Sequence, residues 1–309
     1  MPQFKFNRRQ FLAWGASVSA SSRIAWAAPE HAEAYLLQRA IPASGELIPC
    51  IGIGTNKWIT NDNTQEQALL SETLEKFFSL GGRVIDTAPV YRSSETALGN
   101  FITELGINDA FYLATKIDRQ QPNEALEQMQ RSKRYLRTDR LDLLQVHNLR
   151  GATGLLNSMF EWRDAGHIRY VGITTSRISQ FPEMEQLMRE FPLDFVQLNY
   201  SLVERDAEHR LLPLAQDRNI AVMVNRPFAR AKFFSATKGN DLPAWAAEFD
   251  CKSWAQFALK FVLAQPPVTC VIPGMSSPRH VADNLNAGRG RLPTKNQRMR
   301  QINAFAQLT

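Results

Sequence analysis

The chain runs to 309 residues, 44% hydrophobic and 21% charged, the profile of a globular protein with a well-filled core; length alone allows one large domain or two ordinary ones. Its formal net charge of +6 is concentrated at one end: residues 1–27 hold Lys5, Arg8, Arg9 and Arg23 and no acidic residue, so +4 sits there and +2 remains for the rest. A nearly neutral body gives no electrostatic case for binding nucleic acid or an anionic membrane.

The first element in chain order is a leader. NRRQFLAWGASVSASSRIAWAA places paired arginines before a weakly apolar stretch and ends in Ala25-Trp26-Ala27, a small-x-small cleavage pattern. The stretch is too short and too rich in Ser, Gly and Ala to span a bilayer stably. With Phe11 and Leu12 behind them, the paired arginines resemble the twin-arginine export signal of bacteria. The resemblance implies a removable signal over 1–27, the twin-arginine export machinery as a partner, and a periplasmic or otherwise exported domain over 28–309. Cys50, Cys251 and Cys270 show no paired spacing, so neither a disulfide framework nor a zinc motif is expected. An oxidising compartment favours burial of all three.

Residues 35–49 read as a hairpin turning at Ser44-Gly45. Eight continuous, β-branched apolar runs follow: CIGIG (50–54), RVID (83–86), FYLATK (111–116), LDLLQVH (141–147), YVGIT (170–174), DFVQLN (194–199), IAVMVN (220–225) and VTCVIP (268–273). Continuous runs fit strands buried on both faces. Amphipathic segments such as QALLSETLEKFFSLG and SWAQFALKFVLAQ lie between them. Eight βα repeats predict an α/β fold, a (β/α)8 TIM barrel with an N-terminal β-hairpin. An open doubly wound sheet would normally carry a Gly-rich dinucleotide fingerprint. GIGTN at 52–56 is only a fragment of one, so Gly52 and Gly54 signal close backbone approach at the first strand end.

Four residues fall where these runs end. Asp86 closes GGRVID, Tyr91 follows in TAPVYRSSETALG, Lys116 closes FYLATK and His147 closes LDLLQVH. Successive gaps of about 30 residues, one strand plus one crossover helix, bring them to one rim of a parallel barrel. A carboxylate, a phenol, an ammonium and an imidazole collected there would form a device for delivering protons. Singly, each has a bland explanation: a structural ion pair, a surface tyrosine, a histidine bonded at a strand end.

Asp86, Tyr91, Glu95 and Gly99, in GGRVIDTAPVYRSSETALGNFI, resemble the signature of the aldo-keto reductase family, and the likeness runs from about residue 35 to 290. It implies reversible reduction of an aldehyde or ketone by hydride from a nicotinamide cofactor, with a small-molecule carbonyl as substrate. Tyr91 would then donate the proton, and Lys116 would stabilise the phenolate left behind. Asp86 would hold Lys116 charged, and His147 would orient the carbonyl.

The resemblance also assigns cofactor contacts. Gly54 and Thr55 lie at the first strand end, and Gln197 matches the residue that holds the nicotinamide carboxamide. The usual Gly-Val-Ser-Asn reads Gly172-Ile173-Thr174-Thr175 here, so Thr174 keeps a hydroxyl and Thr175 replaces an asparagine. Asn225, followed by Arg226, replaces the aromatic that commonly stacks on nicotinamide. The segment holding Gly274, Ser276, Arg279, His280, Asp283 and Asn284 resembles the pyrophosphate and adenosine clamp at a helix N-terminus. Asn284 matches the adenine contact, Asp283 replaces a Glu, and Gly274 and His280 stand where a Lys and an Arg grip the 2′-phosphate in many members. Arg279 offers a guanidinium for a 2′-phosphate, which favours NADP(H) over NAD(H). Trp58, in the first βα loop, is expected at the substrate mouth; His31, His167 and His209 are expected to be solvated. The short polar tail after Asn284 implies an open pocket, and a monomer is expected. Two other classes compete. One is an exported nucleotide-binding barrel acting as a sensor or interaction subunit. The other is an unrelated barrel hydrolase or isomerase, which would want paired carboxylates where the sequence clearly supplies only Asp86.

Overall fold

The eight apolar runs become eight parallel strands that close on themselves. The computed structural model describes residues 35–60 and 63–309; the expected signal over 1–27 and His31 lie outside them. A hairpin of β1 (Gln38–Ala40) and β2 (Leu47–Pro49) comes first, turning through Gly45 at φ +77°. Then β3 (Ile53–Gly54), β4 (Val84–Asp86), β5 (Tyr112–Ile117), β6 (Leu141–His147), β7 (Ile168–Thr174), β8 (Phe195–Asn199), β9 (Ala221–Asn225) and β10 (Val268–Val271) pair in sequence order. Bridges from Ile51 to Val271 and from Gly54 to Gly274 join first strand to last, so the sheet's two edges meet.

The run at 50–54 leaves only two residues in regular strand because it forms this seam. A Cβ on Gly52 would stand 2.8 Å from the Val84 carbonyl oxygen, and one on Gly54 would stand 3.1 Å from that of Ile272. Glycine is what the close approach requires.

Helices α1 (Thr64–Ser79), α2 (Ser94–Glu104), α3 (Pro122–Leu136), α4 (Ala152–Asp164), α5 (Phe181–Glu190) and α6 (Leu211–Asp217) follow β3 to β8 in turn. Both α7 (Lys232–Thr237) and α8 (Trp254–Leu263) precede β10; α9 (Pro278–Asn286) follows it, and α10 (Lys295–Ala306) comes last. The starts carry the expected chemistry. Asn63 caps α1 through bonds of 3.0 and 3.3 Å from the Gln65 and Glu66 amides, and Ser277 caps α9 with Pro278 behind it. Among the described residues, no helix is long and apolar enough to cross a membrane.

Inside the barrel, chemistry changes with height. The lower layer is apolar, built from residues such as Tyr112, Leu143, Tyr170, Phe195 and Met223, and the hairpin seals it from below with Ile41 and Ile48. The Tyr170 hydroxyl donates to Glu46 at 2.6 Å, pinning the hairpin to the barrel floor. Two or four residues further along the strands, on the same inward face, the interior turns polar: Asp86, Lys116, Gln145, Thr174 and Gln197 are all buried. That layer is the base of the site.

Candidate active site

Asp86 is the last residue of β4 and Lys116 the last but one of β5, the neighbouring strand, and both are buried in the polar layer. Lys116 Nζ donates to both Asp86 carboxylate oxygens, at 2.8 and 2.7 Å, and to the Thr87 carbonyl at 2.7 Å. Its three N–H bonds are thereby used, and the ammonium is 1% exposed. A buried charge survives only when paired and hydrogen-bonded this fully. Burial pulls Lys116 down, but the Asp86 carboxylate and the Tyr91 phenol outweigh it, so the ammonium lies above its ordinary range and stays charged. Asp86 is held in turn by Gln197, whose amide donates to Oδ1 at 2.8 Å. Thr174 donates to the other end of Gln197 at 2.9 Å.

Tyr91 stands above this base, in the loop after β4. Lys116 Nζ lies 5.3 Å from the centre of its ring. His147, the last residue of β6, meets the Tyr91 ring edge-on at 6.3 Å between centroids and 87° between planes. Burial pushes the imidazole down to about 4, and the Lys116 and Arg150 charges push the same way against Asp118. His147 is therefore neutral near pH 7 and has one N–H to donate. The four residues singled out at strand ends are brought together at one rim.

The cofactor positions divide. Thr174 and Gln197 are buried in the polar layer. Asn225 sits at the end of β9 with its amide donating to the Thr175 carbonyl at 3.0 Å, while its own Oδ1 is buried without a partner. Such an acceptor is costly unless a ligand donor reaches it, and a carboxamide N–H is that kind of donor. Ser276 is half-buried beside the capped start of α9, where Gly274, Arg279 and His280 are exposed. Backbone amides, a hydroxyl and a guanidinium at a helix N-terminus suit phosphate. The residues fit a nicotinamide dinucleotide on these two observations.

Other expected contacts have different partners. Trp58 is fully buried, not at a substrate mouth: its indole N–H donates to the Met275 carbonyl at 2.7 Å, tying the loop after β3 to the segment after β10. The Thr55 hydroxyl, also fully buried, bonds the Asp86 carbonyl at 3.1 Å and accepts from Ser94 at 2.9 Å. Thr175 donates to Gln180 at 2.6 Å. Asp283 accepts from Ser253 at 2.8 Å and from Gln256 at 2.7 Å, joining α9 to the start of α8. Asn284 is buried on α9. Arg226 reaches the Ser176 carbonyl at 2.6 Å, across to the loop after β7.

Two contributors lacked a signal of their own in the strand-end pattern. Gln145, fully buried, approaches Asp86 Oδ1 at 3.4 Å. It lies two residues before His147 and so on the same inward face, which period-two counting could have found. Gln180, which occupies Thr175 and donates to the Asn148 carbonyl at 3.0 Å, belongs to a loop and had no such marker.

A model of the aldo/keto reductase family matches residues 50–306. The aldo-keto reductase YhdN of Bacillus subtilis is 33% identical over 193 residues, a stretch covering 56% of each chain. The methylglyoxal reductase YeaE of Escherichia coli is 27% identical over 256 residues, 80% of this chain and 88% of that protein. An aldo/keto reductase of Klebsiella pneumoniae, solved with NADP and acetate, superposes with a TM-score of 0.71 at 24% identity, covering 84% of this chain and 93% of that one. An aldo-keto reductase of Bacillus halodurans in its holo form superposes equally, at 0.71 and 23% identity, over 89% of this chain and 97% of that one.

Proposed function

The chain belongs to the aldo/keto reductase family, and we propose that it reduces an aldehyde or ketone to an alcohol with NADP(H), Tyr91 acting as proton donor. The observation that carries this reading is the buried Asp86–Lys116 pair lying under Tyr91, 5.3 Å from ring centre to ammonium. Reduced dinucleotide, when bound, supplies the hydride to the carbonyl carbon. The unpaired Asn225 Oδ1 would hold its nicotinamide end above the Thr174–Gln197 pair, and Ser276, Arg279 and His280 its phosphates.

The chain's own groups handle the proton. As the carbonyl oxygen gains negative charge, the Tyr91 O–H bond breaks and the proton passes to that oxygen. The phenolate left behind faces an ammonium that Asp86 keeps charged. His147, neutral because burial holds it near 4, donates its N–H to the same oxygen and fixes its direction. Solvent then returns a proton to Tyr91. The exposed guanidinium of Arg279 favours NADP(H) over NAD(H) through the 2′-phosphate.

Purified protein should oxidise NADPH only when a carbonyl compound is present, and Tyr91→Phe should lower kcat by about 10²- to 10⁴-fold while dinucleotide affinity holds. Full activity in Tyr91→Phe would overturn the mechanism.

Export of the barrel through the twin-arginine machinery is part of the proposal, on the sequence of residues 1–27. Expressed in a bacterium, the protein should be recovered from the periplasm with a new N-terminus at Ala28. Replacing Arg8 and Arg9 by lysine should retain the uncut form in the cytoplasm. An uncut N-terminus on periplasm-free protein from the unmutated gene would count against it.

A further inference from the structure

Beyond residue 27 the net charge is only +2, yet it is spread unevenly over the barrel. The loops after β4, β5, β6, β7 and β9 span 87–93, 118–121, 148–151, 175–180 and 226–231. Together they hold six arginines and a single acidic residue, Asp118. Asp118 is occupied: the Gln128 amide donates to it at 2.6 Å, and Arg119 stands 3.8 Å away. Among the described residues, Arg150, Arg177, Arg226 and Arg230 have no carboxylate within the 4.0 Å of an ion pair.

Three of these arginines, Arg150, Arg177 and Arg226, stand on the loops that follow β6, β7 and β9. Arg150 is near enough to His147 for its charge to act on the imidazole. Arg226 is half-buried, and its bond to the Ser176 carbonyl carries its guanidinium over the loop after β7, where Arg177 lies. Burial lowers Arg226 first; Arg230 and Arg177 add to that, and Glu204 and Tyr91 oppose it. The loop after β7 lies three strands round the barrel from β10 and the phosphate-suited start of α9. Dinucleotide phosphates held there would leave the charges beside β6 and β7 unmatched. Lys116 cannot meet an incoming anion, because its N–H bonds are all used. The loop after β8 adds Glu204, which accepts from the Asn199 amide at 2.7 Å. Arginines still outnumber acids at this rim, and such an excess of one charge raises the local concentration of anions.

We propose that Arg150, Arg177 and Arg226 form an anion-binding arc beside Tyr91 and His147, and that the carbonyl substrate carries a carboxylate. The inference rests on the carbonyl-reducing reading of the same rim. Guanidinium groups present forked donors that match a planar carboxylate, and they remain charged at any working pH.

The test compares two molecules of one shape, 4-formylbenzoate and 4-formylbenzamide. Their binding to the purified protein is measured by calorimetry, and their reduction is followed separately. The carboxylate should bind roughly tenfold or more tightly than the amide. That preference should shrink as added salt cuts the screening length from about 30 Å to about 3 Å. It should also shrink severalfold in Arg150→Gln and in Arg177→Gln, both exposed positions whose change leaves the core intact. Equal binding of the two molecules, or a preference that survives both high salt and both substitutions, overturns the proposal. Reduction of both aldehydes without preference overturns the arc alone. A salt-sensitive binding preference with no reduction of either supports the arc and overturns the reductase reading.

Discussion

A single histidine shows how position converts an ordinary side chain into a specialised one. His147 closes a strand, so the barrel wall removes water from it while Lys116 and Arg150 repel a second proton. Its folded value of about 4 lies below the usual 6.5, so the unfolded chain binds a proton more readily across that window. Its contribution to stability is therefore complete above about pH 6.5 and is lost as the pH falls towards 4. Unfolding midpoints measured between pH 7 and pH 4.5 should drop more steeply for the unmutated protein than for His147→Gln; parallel drops would refute the assignment. The residue identities behind this were legible, because Asp86, Lys116 and His147 each end an apolar run. The Asp86–Lys116 pair was expected too, but the bonds around it were not. Gln197 was expected to face a carboxamide, yet its amide is committed to Asp86 and its carbonyl to Thr174. A sequence does not reveal which of several polar groups two strands apart will be satisfied first.

Secondary elements were legible where periodicity or punctuation marks them. The run LDLLQVH became β6 with the same ends, and Gly81, just past the end of α1, takes the left-handed conformation at φ +91°. Contacts between elements were harder to foresee. Gly99 looks like part of a signature, but its physical task is a helix crossing: a Cβ there would fall 2.1 Å from the Tyr135 carbonyl oxygen on α3. Gly99→Ala must push α2 away from α3. It should cost about 1–3 kcal/mol, the usual range for overpacking, read as a lower urea midpoint with an unchanged slope. An unchanged midpoint would show that the two helices yield freely. Trp58 teaches the same lesson. An aromatic in the first βα loop looked like a substrate contact, but that loop folds over the seam, so the indole is spent on joining its two sides.

At the scale of the whole molecule, the hairpin and the last strand hold the barrel shut. Arg39 on β1 donates to the carbonyls of Leu263, Gln265 and Val268, which end α8 and begin β10. Arg39→Met keeps the stem but strands those carbonyls at a cost of about 1–3 kcal/mol each where no water replaces the donor. The expected result is a loss of at least ~2 kcal/mol and faster proteolysis around residues 264–267; unchanged stability would mean that water takes over the guanidinium's place. The three thiols follow from the same closure. All are buried, and burial raises Cys50 to about 12 and Cys251 to about 11, so oxidation has little purchase on the folded chain.

The sequence by itself determined the repeat of strand and helix, the hairpin, and four polar residues at one rim. These rest on local rules: apolar periodicity, turn chemistry, and the constant length of a βα unit. Only the tertiary structure decided how the polar groups inside the barrel pair off, that Trp58 and Thr55 serve the seam, and that Arg226 reaches across to the Ser176 carbonyl in the loop after β7. Those outcomes depend on distances between residues far apart in the chain, and no local pattern encodes which donor reaches which acceptor once the sheet has closed.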